Sequence, residues 1–146
     1  IDGSSYVLTA TTTLLNPIAP AAFVVANNGR LATIDNWHNA GYGAVVAIYT
    51  SSGEVVRSYR LQDLFSPAEI AEFPVSMSSA WWWEPPAYIR GDGEAIYLSA
   101  RNGGALLVGL ETGAFKYCET LQETYRCRLS NDDRSWANGG DVPDPH

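Results

Sequence analysis

The chain has 146 residues, the size of one domain, and 46% of them are hydrophobic while only 17% are charged. This composition excludes a coiled coil and a chain that is disordered throughout, and it predicts a globular chain with one core. Sixteen acidic and nine basic residues give a net charge of -7, which repels phosphate backbones, so no nucleic acid partner is expected. No apolar run reaches the roughly 18 to 20 residues that span a bilayer, so membrane insertion is not expected either.

Short apolar runs alternate with turns rich in Gly, Asn, Asp or Pro along the chain, a pattern that predicts antiparallel strands. One short helix is predicted over residues 66–72, because Ser66 suits an N-cap, Pro67 suits the first helical position and Glu69 completes a capping box. The predicted strands cover residues 6–12, 22–26, 30–35, 44–50, 55–61, 80–83, 88–90, 95–100, 105–110 and 114–118.

Two parts of the chain, residues 22–61 and 80–118, have the same order of strands and turns. Each predicts a four-stranded meander of about forty residues, which is the period of propeller blades. The predicted fold is therefore all-β, an antiparallel meander of two propeller-blade-like repeats with one short helix, and a β-sandwich is the alternative. Residues 1–130 would form a single β domain, followed by a polar, flexible tail over residues 131–146.

Several motifs in the first half of the chain occur in a fixed order. Asn-Pro-Ile-Ala-Pro at residues 16–20 is followed by Asp-Asn-Trp-His-Asn-Ala-Gly-Tyr-Gly at residues 35–43 and by Leu-Gln-Asp-Leu at residues 61–64. Over residues 16–83 the chain resembles a group of uncharacterised exported bacterial proteins with β-propeller-like repeats. The resemblance implies the fold and the exported location, and it carries no activity.

Cys118 and Cys127 are the two cysteines of the chain. A disulfide that closes a small loop is predicted, since no second Cys or His pair stands near them to complete a metal site. A disulfide favours a periplasmic or extracellular location. The first residue, Ile1, is compatible with an upstream signal peptide that has been removed, or with a truncated chain.

A first candidate ligand-binding cluster follows the strand predicted at residues 30–35. Asp35, Trp37, His38 and Tyr42 combine an acid, an imidazole and two aromatic rings within one loop. Such a loop could bind a sugar by stacking and hydrogen bonding, or a metal through Asp35 and His38. The structural alternative is that Asp35 and Asn36 cap the turn backbone, Trp37 fills a gap between sheets and the glycines allow a wide bend.

A second candidate cluster is the run Trp81, Trp82 and Trp83. Side chains alternate along a strand, so Trp81 and Trp83 would share one face and Trp82 would lie on the other. Rings of this size usually build core, but an exposed one would offer a platform for a sugar or a partner protein.

Catalytic sequence motifs are absent: the chain has no nucleophile elbow, no zinc-protease motif and no phosphate-binding glycine loop. No cofactor and no metal site are expected. The sequence therefore favours an exported, non-catalytic binding or interaction module for an unknown protein or glycan. The alternatives are a small glycan-acting hydrolase that uses Asp35, His38 or Glu84, and a self-assembling structural subunit that forms homo-oligomers.

Overall fold

The computed structural model describes residue 3 and residues 5–8, 10–90 and 93–118. Over these residues the protein is all-β, with two four-stranded antiparallel sheets and two short helices, and every strand pairs with its neighbour in the chain. The first sheet consists of β1 (Pro20–Val25), β2 (Leu31–Asn36), β3 (Val46–Tyr49) and β4 (Val55–Tyr59). The second consists of β5 (Trp83–Ile89), β6 (Ala95–Ala100), β7 (Ala105–Gly109) and β8 (Phe115–Cys118). These sheets confirm the all-β class and the two four-stranded repeats.

The two sheets contribute different faces to one shared core. In the first sheet the Ala26 N–H donates to the Arg30 carbonyl, and the hydrogen-bonded pair Val24 and Ala32, which follows in the same register, packs on the core. In the second sheet the hydrogen-bonded pair is Tyr88 with Tyr97, and the core face is the opposite one, which carries Ile89 and Ile96. The core-facing residues thus form hydrogen-bonded pairs in the first sheet and non-hydrogen-bonded pairs in the second, and the described strands form two open sheets.

A helical segment after β4 fills the space between the sheets. It contains α1 (Leu61–Leu64) and α2 (Pro67–Glu72), and the Phe65 ring between them packs on the rings of Phe73, Trp82 and Tyr117 at 5.0, 5.8 and 5.2 Å. The capping box predicted for α2 is present. The Ser66 hydroxyl accepts from the Glu69 N–H at 3.3 Å, and the Ser66 N–H donates to the Glu69 carboxylate at 2.7 Å.

The first predicted strand, residues 6–12, is wrong. Its described residues form no ladder, and the chain continues instead across the outer face of the first sheet. There the Thr12 hydroxyl donates to the Gly53 carbonyl at 2.6 Å, and the Leu15 N–H donates to the Tyr49 hydroxyl at 2.9 Å. The composition favours a strand, but each sheet already pairs its four strands without this segment.

Two further predicted boundaries are corrected by the structure. The strands expected at residues 80–83 and 88–90 form the single strand β5, which passes through Pro85 and Pro86 with a register shift between Glu84 and Tyr88. Proline is tolerated there because β5 is an edge strand. In addition, the strand expected to end at Leu61 stops at Tyr59, and Leu61 begins α1.

Some sequence predictions concern residues outside the described ranges. Cys118 is buried at the end of β8, but Cys127 lies beyond the described residues, so the disulfide stays a prediction. The domain end at residue 130 and the tail over residues 131–146 lie there too. In the part of the chain that is described, no helix is long and apolar enough to cross a membrane.

Candidate functional site

The antiparallel order of the strands places the segments before β1 and β5 and the β2–β3 and β6–β7 connections at one end of their sheets, where β4 also ends. We call the connecting residues 16–19, 37–45, 75–82 and 101–104 the loop end. Two backbone hydrogen bonds join them: the Trp37 N–H donates to the Ala19 carbonyl at 2.9 Å, and the Ala80 N–H donates to the Ala40 carbonyl at 2.8 Å. The two clusters that the sequence singles out as separate candidates therefore meet at the same end of the molecule.

Asp35 lies buried beneath the loop end, at the close of β2, with a φ of 58°. One carboxylate oxygen accepts from the Asn36 N–H at 2.9 Å and from the Gly41 N–H at 2.7 Å. The other accepts from the Trp83 indole N–H at 3.2 Å, which ties the loop to the second sheet. Burial raises the pKa of Asp35, and the hydrogen bonds from Gly41, Asn36 and Trp83 offset only part of that rise. Both oxygens thus hold the loop in shape, as the structural interpretation of Asp35 expects.

Two buried asparagines complete this support: Asn36, which the structural interpretation of this loop already expects to cap the turn, and Asn16, for which the sequence predicted no such role. The Asn36 amide donates to the Tyr42 and Ala44 carbonyls at 2.5 and 3.0 Å. Its oxygen accepts from the Asn16 amide at 2.8 Å, and the same Asn16 nitrogen donates to the Asp35 carbonyl at 3.0 Å. Buried amides need such partners, so Asn16 and Asn36 fix the path of the loop.

The remaining candidates of this loop are exposed. Trp37 and Tyr42 keep 57% and 55% of their surface accessible, so Trp37 does not fill a gap between the sheets. His38 is also exposed and meets the Trp37 ring edge-on at a centroid distance of 5.7 Å. A metal site finds no support here, because the described residues contain no group of three His, Cys, Asp or Glu side chains placed to hold an ion.

The three consecutive tryptophans divide differently from the alternation expected of a strand. Trp82 and Trp83 are both buried, with ring centroids 6.2 Å apart, whereas Trp81 is 51% exposed. The reason is that β5 begins only at Trp83, so the two preceding residues do not follow strand geometry. The Trp82 indole N–H makes no hydrogen bond of good geometry and adds only a weaker attraction to the Asp35 carboxylate. Trp81 is therefore the candidate platform, and Trp82 and Trp83 belong to the core.

Arg101 is a member of the site that the sequence analysis missed. It follows β6, its N–H donates to the Trp82 carbonyl at 2.9 Å and its Nε to the Trp83 carbonyl at 3.4 Å. Its guanidinium carbon lies 5.8 Å from the centre of the Trp81 ring, within the range of a cation–π interaction. A lone arginine in a turn has no sequence signal, since its role depends on the β5–β6 pairing that places it beside Trp81.

Comparison of the chain with protein-family models, with curated proteins and with solved structures finds no significant match. The resemblance to exported propeller-like proteins therefore rests on the sequence motifs alone, and the site is interpreted from its own geometry.

Proposed function

We propose that the protein is an exported, non-catalytic binding module that holds a glycan at its loop end. The observation that carries this proposal is the set of exposed aromatic rings there: Trp37, Tyr42 and Trp81 each keep about half of their surface accessible. Sugar rings present apolar C–H faces that stack on aromatic side chains, and backbone or hydroxyl groups beside the rings can bond the sugar hydroxyls. The rings stand on loops braced by Asp35, Asn16 and Asn36, so little ordering would be needed on binding.

The burial and the hydrogen bonds of Asp35 favour a binding function over a hydrolytic one. A glycosidase needs two carboxyl groups that reach the scissile bond, one of them free to give or accept a proton. The Asp35 oxygens already accept from Asn36, Gly41 and Trp83, and the side chain is buried beneath the loop. The hydrolase alternative would thus depend on His38 and Glu84, both exposed.

The proposal is tested on a glycan array with the wild-type protein and with the Trp37→Ala, Trp81→Ala and Tyr88→Ala variants. Tyr88 is the matched control, because it is 54% exposed but lies near the far end of β5. We expect the Trp37 and Trp81 variants to lose the glycan signal and the Tyr88 variant to keep it. Equal binding by all four proteins, or equal loss in the Tyr88 variant, would contradict a site at the loop end.

A second candidate function, self-assembly, is favoured by the outer face of the first sheet. Beside the segment that crosses this face through Thr12 and Leu15, Phe23 and Val25 on β1 and Val55 on β4 remain exposed. An antiparallel sheet that faces water normally alternates apolar and polar residues, and β1 does not. Sedimentation at micromolar concentration tests this candidate: a dimer that Phe23→Lys converts to a monomer supports it, and a wild-type monomer refutes it.

A further inference from the structure

Arg101 is held in place without being neutralised. The Trp83 carbonyl and the Trp81 ring position its guanidinium group, and neither carries a negative charge. Within the described part of the chain, the ion pair that forms is Arg60 with Asp63, so no carboxylate there is bonded to Arg101. Arg101 is exposed, and its two terminal nitrogens donate no hydrogen bond to any described residue. The terminal N–H groups of the guanidinium fork, which bind carboxylates in proteins, are therefore oriented and accessible to a ligand.

The four segments of the loop end carry no acidic residue, in a chain with sixteen of them. Residues 16–19, 37–45, 75–82 and 101–104 contain no Asp, Glu or Lys, and Arg101 is their one arginine. Two acids adjoin these segments: Asp35 is buried and accepts from three N–H groups, and the exposed Glu84 follows Trp83 in β5 and makes no ion pair with Arg101. A ligand carboxylate at the loop end would therefore meet a guanidinium charge that no described carboxylate pairs with, although the whole chain carries a net charge of -7.

From this geometry we propose that the loop end binds acidic saccharides, with a uronic acid carboxylate held by Arg101 and a sugar ring stacked on the exposed Trp81 ring. The inference rests on the proposed glycan-binding function and adds the class of ligand. Both recognition elements are needed: the aromatic ring supplies contact area for the pyranose, and the guanidinium fork selects for the carboxylate.

The test is a calorimetric titration with hexamers of galacturonic acid and of mannuronic acid, each compared with its fully methyl-esterified form. Esterification removes the negative charge and leaves the ring in place. We expect at least one acid hexamer to bind about tenfold more tightly than its ester, as loss of a hydrogen-bonded charge predicts, and to bind more weakly as salt is raised.

Three variants assign that preference to Arg101. Arg101→Gln should abolish the difference between acid and ester, and Arg101→Lys should keep part of it, because the charge stays but the planar fork is lost. Arg60→Gln is the matched control, since it removes the same charge from an exposed side chain and should retain the full preference. Thermal unfolding confirms that each variant is folded.

The outcomes separate this inference from the function on which it rests. If acid and ester bind equally well and Trp81→Ala abolishes both, the module binds glycans but the acidic class is wrong. If acid is preferred but Arg101→Gln keeps the preference, the assignment to Arg101 is wrong. If neither these hexamers nor any glycan of the array binds, both the inference and the proposed function are overturned.

Discussion

The Trp83 indole donates a hydrogen bond to the Asp35 carboxylate across the junction of the two sheets, with 3.2 Å between nitrogen and oxygen. Trp83 begins β5 and Asp35 lies in β2, so this bond joins the two repeats directly beneath the loop end. The same carboxylate shapes the Asn36–Gly41 loop through two backbone N–H groups. Asp35 is thus both a connector of the repeats and a support for the exposed aromatic rings.

Replacement of Asp35 by alanine should lower the free energy of unfolding by about 3 kcal/mol or more, because it leaves several buried N–H groups without an acceptor. His38→Ala is the matched control, since His38 also has a positive φ, 76°, but is exposed. We expect the control to cost less than about 1 kcal/mol. Urea denaturation measures both values, and similar losses in the two variants would show that backbone strain, not the carboxylate, sets the cost.

The raised pKa of Asp35 predicts how its contribution varies with pH. The native state binds the Asp35 proton more tightly than the unfolded chain does. The stability contribution of Asp35 is therefore full below the unfolded-state pKa and declines as the pH rises from about 4 through the folded-state pKa. Asp35→Asn cannot titrate, so the wild type should lose stability relative to this variant over that interval. Urea denaturation of both proteins at several pH values checks the sign, and a relative gain would contradict it.

Gly41→Ala should destabilise the fold more than Gly103→Ala. Both glycines have a positive φ, 82° and 94°, so both substitutions carry the same kind of backbone penalty, about 1 kcal/mol. A Cβ at Gly41 would also lie 2.6 Å from the Ala80 carbonyl oxygen, whereas nothing lies within 4 Å of one at Gly103. The difference in unfolding free energy between the variants measures the close contact of loop and second sheet. Equal losses would indicate that the loop shifts away from Ala80 without cost.

The tryptophans at positions 81 and 82 should respond in opposite ways to mutation. Trp82→Ala should cost about 3 to 5 kcal/mol, as expected for a large buried ring, whereas Trp81→Ala should cost less than about 1 kcal/mol. Chemical denaturation measures both. In addition, Trp81→Ala should reduce the fraction of tryptophan fluorescence that acrylamide quenches readily. If Trp82→Ala left the stability unchanged, Trp82 could not belong to the core.

Sequence reasoning succeeded where the structure depends on local chemistry. The Ser66 cap with Pro67 and Glu69 identifies α2 because all its partners lie within one helical turn. The glycine turns likewise separate the strands of each repeat. It failed where the structure depends on residues distant in the chain. The described residues of the 6–12 segment have strand composition but pair with no described strand, and Trp82 is buried in a core that includes the distant Phe65 ring.

The site was predictable to a similar extent. The loop from Asp35 to Tyr42 was identified by its composition, but its contact with the Trp81 segment depends on bonds between the two sheets, such as that from the Ala80 N–H to the Ala40 carbonyl. The role of each residue within the candidate site could not be predicted. Asp35 supports the loop because it is buried beneath it, whereas the Trp37 ring is exposed. Arg101 lies beside Trp81 because of the β5–β6 register.

The pairing of every strand with its sequence neighbour has a kinetic consequence. Each sheet can form from contacts that are local in the chain, which favours rapid folding, whereas the junction needs both sheets to be in place. Contacts across the junction, such as Trp83 with Asp35, should then form after the rate-limiting step. Substitutions at the junction would mainly accelerate unfolding, whereas substitutions within a hairpin would slow folding. The lifetime of the native state would therefore depend mainly on the junction between the two repeats.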